Sequence, residues 1–234
     1  MKIIGMIPAR AGSKRVKNKN LRYLDDKPLV EHIIEAAAGV SLFDSVYLNS
    51  EDEIFQPIAK KHGLQFYKRS KELSSDSATN DDFALDFIIN VGGDILIQML
   101  PTSPFINSEM ITSFIKEMLD SRVDSLISVS DVKIECMFEG KSINFDQKAQ
   151  TPPSQLLTPI KAYACGLMGW NTETFIQNMQ KYGSAYHGGD GKIGFFTIKG
   201  LGTIDIDEEQ DFVIAEAICK TQKEPRYHVR YYGS

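Results

Sequence analysis

Positive charge is concentrated in one short stretch of this sequence: Arg10, Lys14, Arg15, Lys17 and Lys19 fall within ten residues, with Gly12 and Ser13 between them. Several cations beside the backbone N–H groups of a Gly-Ser turn suit a polyphosphate, held by charge and hydrogen bonds rather than by a covalent bond. A second group lies far away in the chain, in Ile204-Asp205-Ile206-Asp207. Residues two apart in a strand share a face, so the isoleucines can enter a core while the two carboxylates converge. Two hard oxygens suit Mg²⁺, which takes one or two carboxylates and completes its shell with phosphate and water. Cations and a metal are the tools of phosphoryl or nucleotidyl transfer, where catalysis is chiefly positioning and charge stabilisation. The plainer alternatives are a solvated basic turn and, for Asp207, a cap on the following helix with Gln210 completing a capping box.

The basic loop is neither of the two common phosphate motifs. Gly12-Ser13-Lys14 lacks the partner glycine of Gly-x-x-x-x-Gly-Lys-Ser/Thr, and no Gly-x-Gly-x-x-Gly follows the first apolar run. With 26 Lys and Arg against 31 Asp and Glu, the net charge of −5 argues against nucleic acid or an anionic membrane as partner and leaves the loop a local exception. Cys136, Cys165 and Cys219 are odd in number and widely spaced, which disfavours a disulfide framework or a zinc knuckle. No apolar run reaches bilayer length, so a cytoplasmic protein is expected.

The elements that must position these groups alternate. Strands are expected at 3–7, 45–48, 94–99, 125–129, 163–170 and 194–199, and helices at 28–38, 51–61, 80–91, 108–121, 172–181 and 208–220. This is the pattern of an α/β fold, a mostly parallel twisted sheet with helices on both faces. In the last helix Phe212, Ala215, Ile218 and Cys219 share a face, which predicts packing against the sheet. The 234 residues suit one domain, 1–234. Residues 132–160, with Pro152-Pro153 and no sustained periodicity, read as an excursion from the sheet. In an open α/β sheet, a loop leaving the carboxyl end of the first strand is where a ligand binds.

Ile7-Pro8-Ala9-Arg10-Ala11-Gly12-Ser13-Lys14-Arg15, followed by Lys19-Asn20-Leu21, closely resembles the signature of the acylneuraminate cytidylyltransferase (CMP-sialic acid synthetase) family. Further blocks are similar to that family's and stand in its order: Ser45 to Asp52, Lys68-Arg69-Ser70 with Ser75 to Thr79, Pro101-Thr102-Ser103-Pro104, and Asp205 to Phe212. The resemblance implies a Rossmann-like nucleotidyltransferase that transfers CMP from CTP to a 3-deoxy-2-keto acid sugar, with Mg²⁺ held by Asp205 and Asp207. It implies a homodimer that exchanges the 132–160 arm. It also implies that Ala9, Arg10, Gly12, Ser13, Lys14, Lys19, Asn20, Arg69 and Asn80 surround the nucleotide. Arg10 and Lys14 then act in catalysis with the two aspartates, and Lys14 meets the charge that develops on the α- and β-phosphates. Leu100, Thr102, Ser103 and Gln155 are the implied sugar-side residues.

The sugar end departs from the pattern. The family tends to have Gln before Pro-Thr-Ser-Pro, where this chain has Leu100, and Asn-Gly where it has Cys165-Gly166; Asn80 replaces a smaller hydroxyl residue. Exchanging amide contacts for apolar ones alters substrate identity more than reaction type. A nonulosonate less polar than N-acetylneuraminate, of the legionaminate or pseudaminate type, is the expectation. The rivals are a synthetase for the eight-carbon sugar Kdo, whose first loop usually differs, and a nucleotide-binding module without catalysis.

Overall fold

In a computed structural model, which describes residues 1–223 and 231–232, the chain builds a seven-stranded sheet flanked by helices. The strands are β1 (Ile3–Pro8), β4 (Ser45–Ser50), β5 (Gln65–Lys68), β6 (Ile95–Met99), β7 (Ser125–Val132), β10 (Ile160–Asn171) and β11 (Ile193–Thr197). Two short hairpins complete the numbering: β2 (Tyr23–Leu24) with β3 (Lys27–Pro28), and β8 (Met137–Phe138) with β9 (Lys141–Ser142). The sheet order is β11-β7-β10-β6-β1-β4-β5. Every neighbouring pair is parallel except those of β10, which runs antiparallel between β6 and β7.

The helices are α1 (Leu29–Ala38), α2 (Gln56–Lys61), α3 (Asn80–Val91), α4 (Ser108–Ser121), α5 (Thr172–Tyr182) and α6 (Glu209–Lys223). One core face packs α1, α2 and α4 against Ile3, Ile7, Leu48, Ile97 and Met99. The other packs α3 and α5, through Ala84, Phe87 and Phe175, against Ile4, Met6, Leu96, Met168 and Trp170. The odd and even residues of β1 and β6 thus divide between two cores, as a period-2 strand buried on both faces requires. The helix expected over 51–61 starts later. Asp52 caps a 3₁₀ turn at Glu53–Phe55, and Pro57, with no N–H to donate, sits at the first turn of α2.

One strand lies outside the expected set, and two expectations are corrected. β5, an edge strand, is too short and mixed to show a period. α6 does not pack on the sheet: Phe212, Ala215 and Cys219 enter a third cluster with Val16, Leu24, Leu29 and Ile206, while Ile218 is only half-buried. And 204–207 is extended but pairs with no strand; Ile206 N–H donates to the Thr102 carbonyl (2.8 Å). The third cluster therefore clamps the basic loop, through Val16, to the aspartate segment, through Ile206.

β7 and β10 stay paired as far as Val132 and Ile160, and residues 133–159 leave the sheet from there. The β10 register shifts between Tyr163 and Met168, around Cys165, whose φ of 54° lies in the left-handed region. Next to it, a Cβ on Gly166 would stand 2.3 Å from Ile106 Cδ1 and 2.9 Å from Ser103 Oγ, so a larger residue would force the side chains of the turn after β6 to shift. Gly166 O there accepts from Leu100 N–H (3.0 Å).

Candidate active site

A cleft of about 410 Å³ opens at the carboxyl ends of the parallel strands. The basic loop forms one side of it, the start of α3 another, and the turn after β6 with Asp207 a third. Pro8, Val16, Phe83, Leu100 and Pro101 supply apolar lining; Arg10, Ser13, Lys14, Arg15, Lys19, Asn20, Arg69, Asp76, Thr102 and Asp207 supply the polar groups.

The loop is pinned from beneath. Ala9, fully buried, donates its N–H to the Asn49 carbonyl (2.9 Å), Ala11 N–H donates to Glu51 Oε1 (2.9 Å), and Asn20 Nδ2 donates to the Arg10 carbonyl (3.0 Å). Ala9 is thus a backbone anchor, not a side chain facing a ligand. A Cβ on Gly12 would meet nothing within 4 Å, so this turn stays open to an approaching group.

Each cation that lines the cleft has an acidic partner. Lys14 Nζ and Arg10 (3.4 Å) both engage the Asp76 carboxylate, which those contacts hold below the usual carboxylate range, Lys14 contributing most. Arg15 pairs with Asp207 at 3.0 Å. Lys19 is buried, donating to the Ile206 carbonyl and lying 3.5 Å from Asp207 Oδ1. Burial pulls the Lys19 ammonium pKa down, against the opposing pull of Asp207 and Asp205. Residues 187 positions apart are thereby joined, and Asp207 becomes the point where loop and carboxylates meet.

Asp207 does not cap α6. Asp211, in the first turn of α6, reaches back to accept from the N–H groups of Asp207 (2.9 Å) and Glu208 (2.8 Å), while the Asp207 carboxylate goes to the cations. Asp205 is more enclosed: burial raises its pKa, a bond from Thr102 opposes that, and Asp207 adds to the rise. Its Oδ1 is buried without a hydrogen-bond partner. These two residues are the pair that could hold a divalent ion. Among the described residues no group of three or more His, Cys, Asp or Glu is placed to do so.

Arg69 enters from the end of β5 with its side chain only 3% exposed. Its Nε donates to Ser74 Oγ (2.8 Å), one terminal nitrogen lies 3.4 Å from Glu51, and the guanidinium sits 5.0 Å from the Phe83 ring centroid. The other terminal nitrogen is buried without a partner. Asn80 is the first residue of α3, behind a complete capping box of Thr79 and Asp82. It accepts from Gln98 Nε2 (2.8 Å) and does not line the cleft, a correction to its expected contact position.

Of the residues expected on the sugar side, Leu100 and Thr102 line the cleft, whereas Ser103 is buried behind it with an unpartnered hydroxyl. Gln155 is exposed on the 133–159 segment and does not line the cleft; its carbonyl accepts from Lys133. Sequence reasoning gave no role to Asp76, Glu51, Phe83 or Gln98. Asp76 and Glu51 stand in motif blocks already noted, which was the available signal; nothing in the sequence marks the other two.

An open α/β sheet with a cationic cleft at its strand ends and Asp207 on the cleft wall has the layout in which α/β proteins place a ligand site outside the carboxyl ends of their strands. The sequence model of the cytidylyltransferase family matches residues 4–155, and the chain belongs to that family. N-acylneuraminate cytidylyltransferase from Escherichia coli is 30% identical over 251 residues, covering 99% of this chain and 55% of that protein. Pseudaminic acid cytidylyltransferase from Campylobacter jejuni is 31% identical, covering 70% and 75%, and CMP-N,N'-diacetyllegionaminic acid synthase from Legionella pneumophila is 31% identical, covering 58% and 60%. The chain spans about half the length of the N-acylneuraminate enzymes it matches in Escherichia coli and Streptococcus agalactiae. A solved CMP:2-keto-3-deoxy-manno-octonic acid synthetase superposes with a TM-score of 0.73 at 17% identity, over 95% of this chain and all of the other, which establishes the shared fold.

Proposed function

We propose that this protein transfers CMP from CTP to the anomeric hydroxyl of a 3-deoxy-2-keto acid sugar of the nonulosonate class, releasing pyrophosphate. The observation that carries the reading is the meeting of the basic loop and the aspartate segment at Asp207, inside one cleft, through Arg15 and Lys19. The anomeric hydroxyl oxygen attacks the α-phosphorus and releases its proton to solvent, the bond to the bridging oxygen breaks, and that oxygen leaves with pyrophosphate. Arg10, Lys14 and the Ser13 hydroxyl hold the triphosphate, and Lys14 stabilises charge growing on the leaving group. Arg69 and the start of α3 receive the base. The Leu100 and Pro101 side of the cleft accepts the sugar, favouring a deoxygenated, N-acylated member such as a legionaminate or pseudaminate.

Mg²⁺ is proposed at Asp205 and Asp207. The unpartnered, buried Asp205 Oδ1 beside a second carboxylate fits an ion that draws its remaining ligands from phosphate and water. Such an ion would neutralise phosphate charge and polarise the α-phosphoryl group.

A homodimer is proposed through the 133–159 segment, supported by the exposed apolar side chains Ile134, Met137, Phe138, Ile143 and Leu156 along it. A cytoplasmic setting is proposed. Among the described residues no helix is long and apolar enough to cross a membrane.

The test is pyrophosphate release with Mg²⁺ and CTP against N-acetylneuraminate, legionaminate, pseudaminate and Kdo, with ATP, GTP and UTP as nucleotide controls. A CTP-dependent signal with a nine-carbon sugar supports the reading, and turnover of Kdo alone moves the substrate to the eight-carbon class. CTP binding without turnover of any of the four refutes the proposed reaction.

A further inference from the structure

Arg15 is spent on a carboxylate that the proposed chemistry needs for something else. Its guanidinium lies 3.0 Å from Asp207 Oδ1, and Lys19 Nζ lies 3.5 Å from that same oxygen. Two cations thus stand at the Asp205 and Asp207 pair, and their charge already offsets that of two carboxylates. They are held differently. Lys19 has a side chain 11% exposed and also donates to the Ile206 carbonyl. Arg15 lines the cleft with its side chain 65% exposed, and among the described residues Asp207 Oδ1 is its side chain's only hydrogen-bond partner. The backbone beneath it is nevertheless fixed, because the next residue, Val16, is buried in the third core cluster. An anchored backbone therefore carries a charge that is free to turn.

We propose that Arg15 is a further phosphate-binding residue, which stands in for a divalent ion at Asp207 until the triphosphate draws it away; this rests on the cytidylyltransferase reading above and its metal site. An exposed ion pair shifts an equilibrium by no more than about fivefold, so the Arg15 contact is readily exchanged. With Arg15 and Lys19 in place, a divalent ion arriving alone adds positive charge to a site already balanced. A triphosphate reverses this. Its oxygens accept the planar guanidinium, which suits them, and the Asp207 carboxylate is released. Triphosphate and divalent ion therefore favour one another's binding, a coupling that linkage makes reciprocal. Arg10 and Lys14 form their ion pairs with Asp76 and not with Asp207, so this coupling falls to Arg15.

The probe is Mn²⁺ alone, its affinity for the nucleotide-free protein read from the electron paramagnetic resonance signal of the unbound ion. Arg15→Met is compared with Lys17→Met, which removes the same charge from an exposed residue of the same loop that does not line the cleft. Arg15→Met tightens Mn²⁺ about fivefold, and Lys17→Met less than about twofold. Calorimetry at saturating Mg²⁺ then reads CTP, whose affinity falls about tenfold in Arg15→Met through loss of a charged hydrogen bond and stays nearly constant in Lys17→Met. Mn²⁺ affinity that is unchanged or weaker in Arg15→Met overturns the inference. So does equal tightening in the two variants, which would report net charge, and so does an unchanged CTP affinity, since Arg15 then makes no contact with phosphate. A double variant, Asp205→Asn with Asp207→Asn, separates this failure from that of the underlying reading. Mn²⁺ uptake that survives the double variant removes the proposed metal site and the inference with it, whereas uptake lost there, with Arg15→Met behaving as the parent, rejects Arg15 only.

Discussion

Replacing Arg69 by Met removes the most deeply enclosed charge of the cleft and leaves its partner behind. The arginine side chain is 3% exposed and that of Glu51 is 13% exposed, so water can replace little of what is lost. Breaking a buried ion pair by deleting one member costs about 3–5 kcal/mol. Here the low end applies, because the contact is a single one of 3.4 Å and Glu51 keeps the Ala11 N–H (2.9 Å) and the Ser74 hydroxyl (2.7 Å). About 3 kcal/mol in a chain of this size lowers the melting temperature by about 6–12 °C. Urea unfolding of Arg69→Met, Glu51→Gln and the double variant gives the coupling, expected at about 1–2 kcal/mol. Acid adds a sign. Burial pushes the Glu51 carboxyl up, but the Ala11 N–H, the Ser74 hydroxyl and Arg69 outweigh it, holding the folded value below the ordinary 4.5. The stability that this confers is present above pH 4.5 and is lost as pH falls through the folded value, so the gap between parent and Arg69→Met narrows on acidification. A single-variant cost below about 1 kcal/mol, or no coupling to Glu51, refutes the account, since the burial penalty of Arg69 would then be met elsewhere.

Asp205→Asn trades activity for stability. Burial, reinforced by Asp207, raises the folded pKa of Asp205, so ionising it costs the free protein stability as pH rises above the ordinary 3.8. The variant gains on the order of 1 kcal/mol at pH 7, about 2–4 °C in melting temperature, loses that advantage below pH 4, and is inactive in pyrophosphate release. Asp76→Asn frees Lys14 and Arg10 of their internal anion, and CTP affinity by calorimetry rises, more at low than at high salt; a fall would mean that Asp76 serves the bound nucleotide. Leu156→Asp together with Phe138→Asp charges the exposed apolar face of the 133–159 segment. If the proposed homodimer forms through this face, sedimentation reports dimer for the parent and monomer for the variant, with melting temperature changed by less than about 2 °C, because both side chains are already in water in the single chain; a monomeric parent refutes the proposed dimer.

The strands and helices that bear the site were legible because their signals are local. The run Ile3 to Ile7 ends in a loop too charged to be core, and Asn107, Asn171 and Thr79 each stand at a helix start where their side chains accept a backbone N–H. Strand direction leaves no comparable mark. β10 reads as an apolar run whichever way it points, and only its pairing with β6 and β7 makes it antiparallel. The docking of α6 was missed for a related reason. An apolar face says that a helix is covered, not by what, and Val16 within a basic loop gives no hint of being core. At the site the charges were legible and their partners were not. That Lys19 would be spent on Ile206 O, or that the Asp207 carboxylate would go to Arg15 and Lys19 and not to α6, depends on side chains brought together by packing.

The buried polar atoms that lack partners bear on why the cleft is where it is. Among the described residues they belong to Asn20, Asn49, Arg69, Asn80, Gln98, Ser103 and Asp205. Every one lies on the basic loop, near the carboxyl end of a strand, or on a segment that continues from one. Each costs on the order of 1–3 kcal/mol when left unmet. Of these residues Asn20 and Arg69 line the cleft, where a ligand could supply their partners, and the others are enclosed in the fold around it. The same end carries the Asp76 and Asp207 ion pairs, which hold the cations in place while leaving them exchangeable at the surface. The third core cluster supplies the opposing rigidity, since Phe212 and Leu29 seize Val16 and Ile206 on either side of the charged groups. A ligand that satisfies Asn20 and Arg69 therefore stabilises a site whose geometry is already set by apolar packing, and the free energy of its binding is not consumed in building the site.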